Sequence, residues 1–101
     1  MFGYVRGAVC VPSVCVENTV KNTAEILKQI DEASANGAAF AVFPELCVTG
    51  YTCGDLFFQD ALTSSVADCL DAVCERTLGE DIVCIIGAPV QIGDGLYNCG
   101  I

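Results

Sequence analysis

The sequence contains no histidine and only four basic residues in 101. With thirteen acidic residues it carries a formal net charge of −9. That balance argues against a nucleic-acid partner, which needs clustered Lys and Arg, and equally against a surface for anionic membranes. No C-x-x-C pair occurs among the eight cysteines, which stand at 10, 15, 47, 53, 69, 74, 84 and 99. Without histidine or closely spaced thiols the usual zinc ligand sets cannot be assembled, so no metal site is expected. Apolar runs long enough to span a bilayer are also missing. Gly7-Ala8-Val9-Cys10-Val11 could pass for the core of a signal peptide, but Pro12 interrupts it and no small-x-small cleavage site follows. A buried first strand in a cytoplasmic protein is the expected reading, with the cysteines as reduced, small core fillers.

What is present is apolar and patterned. Hydrophobic residues make up 53% of the chain, enough for one modest packed domain. Val5 to Val11 reads as a strand ended by Pro12-Ser13. A helix is predicted over Asn18 to Asn36, with Val20, Thr23, Ala24, Leu27, Ile30 and Ser34 at helical spacing. Asn18 or Thr19 can cap its start, and Gly37 supplies the left-handed residue that closes its end. Ala39 to Phe43 is an uncharged run without a helical stripe, as expected for a strand covered on both faces. Strand, helix and strand of these lengths make a right-handed parallel crossover. A second helix is predicted over Gln59 to Leu78, its apolar face made by Leu62, Val66, Cys69, Leu70 and Val73. Ile82 to Ile86 continues as a strand through Pro89 to Ile92, and Gly93-Asp94-Gly95 is turn chemistry leading into Leu96–Ile101 as a hairpin.

The functional stretch is Phe43-Pro44-Glu45-Leu46-Cys47-Val48-Thr49-Gly50-Tyr51. Pro44 has no amide proton for a ladder and holds Phe43 extended, so the strand stops there and Glu45 stands at its C-terminal end. Ligands in open α/β sheets bind at such ends. Glu45, flanked by Leu46, Val48 and Tyr51, has two readings. It caps or pairs locally, or it is a general base that partial removal from water makes a better proton acceptor. Tyr51 either covers the core or touches substrate. Phe57 and Phe58 read as core or interface residues.

Phe43-Pro44-Glu45-Leu46 with Thr49-Gly50-Tyr51 resembles the first catalytic motif of the nitrilase (carbon–nitrogen hydrolase) superfamily. Gly50-Tyr51-Thr52-Cys53-Gly54-Asp55-Leu56-Phe57 resembles one branch, the glutamine amidase domains of glutamine-dependent NAD synthetases. The likeness runs from Val5 to Ile101 and covers about the first third of such a domain. It implies an α/β fold: part of an αββα sandwich, one mixed sheet with two helices, the second half missing and a large apolar face left open.

The resemblance also implies the chemistry. A Glu takes a thiol proton, the thiolate attacks the amide carbon to form a thioester, and a Lys with a backbone amide stabilises the oxyanion. Glu45 matches the Glu, and Tyr51 matches an aromatic beside the pocket. Lys21 and Lys28 precede Glu45 and do not match the Lys. None of the eight cysteines has the nucleophile's context, Cys47 and Cys53 included, since nothing electropositive lies near them. The isolated chain is expected to be inert toward glutamine.

The intact protein is expected to be a homo-oligomer that passes ammonia from glutamine to a synthetase domain. There ATP and magnesium would activate nicotinic acid adenine dinucleotide for amidation to NAD. No cofactor is expected in this piece. Leu96–Ile101 stops within an apparent strand, so the chain reads as the front piece of a longer protein. Two alternatives stand beside this reading: another amidase of the superfamily, acting on carbamoylated amines or ω-amides, and a non-catalytic truncated interaction module.

Overall fold

The structure is a computed structural model that describes residues 3–15, 18–50 and 60–101. Three short strands, β1 (Gly7–Val9), β2 (Phe40–Val42) and β3 (Val83–Ile85), form a parallel sheet in the order β1-β2-β3. Their register places Gly7, Phe40 and Val83 in one row, Ala8, Ala41 and Cys84 in the next, and Val9, Val42 and Ile85 in the third. Backbone bonds carry the ladder beyond the strand ends, Ala39 N to Arg6 O at 2.7 Å and Phe43 N to Ile85 O at 2.9 Å. The predicted strands are thus present at their centres.

The expected mixed sheet is realised through one continuous run. β3 leads through Ile86 into β4 (Gly87–Ile92), which pairs antiparallel with β5 (Gly95–Gly100). Ile86 and Ile101 exchange both backbone bonds at 2.8 Å and lengthen that hairpin by one pair. Its turn has Gly93 at φ 59, the positive angle that a two-residue turn with Gly first requires. The run therefore pairs in parallel at its start and antiparallel thereafter, and the strands divide into a three-stranded sheet and a two-stranded one.

Two helices cover one face. The first, α1 (Thr19–Ala35), starts where the Asn18 side chain accepts from Lys21 N at 3.1 Å. It ends with Gly37 at φ 77, Ala38 N bonding Ala33 O and Gly37 N bonding Ser34 O, the paired bonds of a Schellman closure. The second, α2 (Asp60–Thr77), packs beside it and against β4. Of its predicted apolar face, Leu62, Val66, Cys69 and Val73 are buried and Leu70 is half-buried.

The face of α1 differs from expectation. Its buried residues are Thr19, Asn22, Thr23, Ile26, Ile30 and Ala33, whereas Val20 is 79% exposed and Ala24 faces outward. The predicted stripe was displaced because Asn22, a polar residue, belongs to the inner face and Ile26 lies one turn beyond it.

β2 was expected to be covered on both sides. Ala41 is buried toward the helices, but the opposite face of the sheet carries Val9 at 84% and Val83 at 65% exposure, with Phe40 and Ile85 also exposed. The helices supply only one layer, so alternate side chains of each strand have nothing above them. The Phe40 ring lies over Gly7, where a Cβ would sit 2.2 Å from it. This is the open apolar face that a partial sandwich implies.

None of the seven described cysteines forms a disulfide. Cys10, Cys47 and Cys69 are buried like small hydrophobes, Cys84 is half-buried and Cys74 is exposed. No helix among the described residues is long and apolar enough to cross a membrane. Arg76 of α2 pairs with Asp31 of α1 and with Glu80 at 3.6 Å, partly exposed contacts of small energetic weight.

The position of the α1 face is testable. Ile30→Ala should lower unfolding free energy by about 2–5 kcal/mol, and Val20→Ala by less than about 0.5 kcal/mol, in urea titrations.

Candidate active site

The chain leaves β2 at Phe43 and Pro44 and turns at residues 45–49. Leu46 takes φ 49, the only positive φ of a described non-glycine residue. A branched side chain in that region costs energy that neighbouring contacts must offset. Those contacts are present. Gly50 N bonds Leu46 O at 2.7 Å and Thr49 N bonds the same oxygen at 3.3 Å, closing the turn on itself. Cys47, Val48 and Thr49 are at most 1% exposed and point into the core.

A second chain segment grips the turn from outside. Gly87, at the start of β4, offers its carbonyl to Val48 N at 3.2 Å and to the Cys47 thiol at 3.6 Å. Its α-carbon lies so close that a Cβ would stand 2.4 Å from Pro44 O and 2.5 Å from Leu46 N. Only glycine lets these backbones approach. From the helix side, Asn22 Nδ2 donates to Val48 O at 2.8 Å.

This geometry aims Glu45 outward. Its side chain is exposed, and one carboxylate oxygen, Oε1, accepts a hydrogen bond from Asn98 Nδ2 of β5. The expected partial removal of Glu45 from water is therefore not seen in this chain. The reason is the turn itself: Val48 is drawn inward as core and forms no wall around the acid. Among the described residues two surface grooves, of about 320 and 270 Å³, lie along β1 and α1 beside Arg6 and Glu32 and between α2 and β4 beside Leu70 and Pro89.

Tyr51, Cys53, Phe57 and Phe58 lie outside the described residues. Lys21 and Lys28 are exposed on α1. A hydrogen bond with Cys15 pushes the Lys21 ammonium above its usual range. Burial pushes the Cys47 thiol up, which disfavours the thiolate that a nucleophile needs. Burial does the same to Cys10, helped by Glu32, and to Cys84, helped by Cys10. Among the described residues no group of three or more His, Cys, Asp or Glu side chains could hold a metal ion.

The family to which the chain belongs is shown by comparison with known proteins. The carbon–nitrogen hydrolase profile matches residues 8–101. The chain belongs to the carbon–nitrogen hydrolase family.

Within that family it is similar to glutamine-dependent NAD(+) synthetases. It is 32% identical to the Mycobacterium tuberculosis protein over 99 residues, covering 98% of this chain and 15% of that one. With the Arabidopsis thaliana protein it shares 39% identity over 85 residues, 84% of this chain and 11% of the other. The crystal structure of the Cytophaga hutchinsonii synthetase superimposes with a TM-score of 0.88 at 28% identity, over 95% of this chain and 16% of that chain. The chain thus spans 11–15% of the length of these curated relatives.

Sequence reasoning placed Glu45 at the end of the strand, where the structure has it, and missed Gly87, Asn22 and Asn98. The Gly87-Ala88-Pro89 step inside a strand run was the available signal for Gly87, since a strand glycine marks close backbone approach. Nothing local marked the two asparagines.

Gly87→Ala should displace the turn. We expect amide signals of Glu45 to Gly50 to shift in NMR spectra while those of α2 stay in place. The buried thiols give a pH dependence. In the unfolded chain they ionise near their ordinary value of 9.0, whereas in the folded chain burial keeps them protonated to higher pH. The folded state then binds more protons, so stability present below that pH is lost as pH rises through the alkaline range. The urea midpoint should be lower at about pH 10 than at about pH 8, and Cys47→Ala should lessen the difference.

Proposed function

We propose that this chain is the first part of a glutamine amidase domain in a glutamine-dependent NAD synthetase, with Glu45 as its general base. The observation that carries the reading is the display of Glu45 just beyond β2 on a turn fixed from two sides, in a chain of this family.

The chemistry asked of Glu45 is specific. Its carboxylate accepts the proton of a cysteine thiol, and the thiolate attacks the side-chain amide carbon of glutamine. The tetrahedral intermediate collapses with cleavage of the carbon–nitrogen bond, and the leaving nitrogen takes up the proton as ammonia. Water then hydrolyses the thioester to glutamate. Because Asn98 donates to Oε1, Oε2 is left to receive the thiol proton. An ammonium and backbone amide stabilise the oxyanion.

The thiol and the ammonium come from outside this chain in our reading. Cys47 is buried with its thiol held protonated, and Lys21 and Lys28 lie on the exposed surface of α1. Tyr51 is proposed to contact the substrate, on the strength of the family resemblance. The ammonia acceptor, nicotinic acid adenine dinucleotide, and the ATP and magnesium that activate it belong to a synthetase domain, as does homo-oligomeric assembly to the whole protein. Cytoplasmic location accords with the free cysteines. Action on other amides is the less favoured reading, because the relatives described above are named as glutamine-dependent NAD(+) synthetases.

Ammonia release from glutamine tests this. The 101-residue chain alone should release none. In the protein that carries this segment together with the thiol and ammonium, Glu45→Gln should lower kcat by about 10²–10⁴-fold. Turnover by the chain alone that Glu45→Gln abolishes would refute the external nucleophile. Full activity of the Glu45→Gln protein would refute the general base.

A further inference from the structure

We propose that Asn22 is a positioning residue for Glu45. It ties the loop before α1 to the turn that presents the acid, and the inference rests on the reading of Glu45 as the base.

Asn22 lies in the first turn of α1 and is 0% exposed. A primary amide so deep must use its hydrogen-bonding groups within the protein. Oδ1 accepts from Cys15 N at 2.7 Å. Nδ2 donates to Cys15 O at 2.7 Å and to Val48 O at 2.8 Å. The first two bonds pair the side chain with the Cys15 backbone much as a neighbouring strand would. The third crosses to the turn.

That third bond completes a grip on one peptide segment. Val48 N is held by Gly87 O on the hairpin side, and Val48 O is held by Asn22 on the helix side. Glu45 is three residues upstream, joined through Leu46 in its left-handed conformation. The turn also closes on itself through Gly50 N and Thr49 N to Leu46 O. Asn22 adds the hold from the helix side, so that the peptide leading back to Glu45 and its bond with Asn98 is fixed from both faces. It also links the loops that follow β1 and β2, which emerge at the same end of a parallel sheet.

Hydrogen exchange and side-chain NMR on the purified protein test this. Asn22→Asp keeps the acceptor for Cys15 N but sets an oxygen against both Cys15 O and Val48 O. Exchange at Val48, Thr49 and Gly50 should accelerate at least about tenfold more than at Ile26 and Ile30. The Asn98 side-chain amide signal should move to the position of a free asparagine. Equal acceleration throughout would make Asn22 a general stabiliser and overturn the proposal, as would an unmoved Asn98 signal.

Should Asn22→Asp fail to fold, the unsubstituted protein decides. The Asn22 Nδ2 protons and the Val48 and Gly50 amides should exchange through one opening, with matching dependence on denaturant. Independent behaviour would overturn the tie. Neither readout uses turnover, so a failure of Glu45 as base would show in glutamine hydrolysis and leave these measurements distinct.

Discussion

The contact on which this structure depends is that of two backbones at Gly87. The α-carbon there touches the Pro44–Leu46 peptides with no room for a side chain. That approach lets the Gly87 carbonyl reach Val48 N. It also holds Leu46 in a conformation that an isolated peptide would avoid. The strain is local; the turn's own bonds to Leu46 O offset part of it, and contacts from β4, a segment forty residues away in sequence, add the rest. The acid at the strand end is therefore placed by the fold as well as by its own neighbours.

The environment of Glu45 follows from the same constraint. The turn draws Cys47, Val48 and Thr49 into the core, while Glu45, two residues before Cys47, is left exposed. The acid is thus held by its backbone and by one amide donor while its second oxygen remains available. For a proton acceptor this is a useful division: the main chain fixes where the group stands, and its free lone pairs do the chemistry.

Much of this was legible along the chain. Asn18, Gly37 and the Leu62–Val73 stripe act through neighbours within one or two helical turns, so their roles show in local spacing. Glu45 was legible because Pro44 ends the strand beside it. The burial of Asn22 was not, because an asparagine enters a core only when distant carbonyls are there to receive it, and those belong to Cys15 and Val48. Asn98 likewise takes its meaning from a partner 53 positions earlier. The open side of the sheet was legible only through family resemblance. Alternating Val and Phe residues look the same whether a second layer covers them or not.

The order of the parallel strands carries a consequence for biosynthesis. β1 pairs with β2, and β2 with β3, and in each case a whole helix separates the partners in sequence. No strand of this sheet can find its neighbour by simple hairpin closure. On the ribosome, β1 must wait for α1 and β2 to emerge, and the central strand then waits again for α2 and β3. The clamp at Gly87 comes after all of these, so the acid takes its final orientation only when the nascent chain has already assembled the scaffold beneath it.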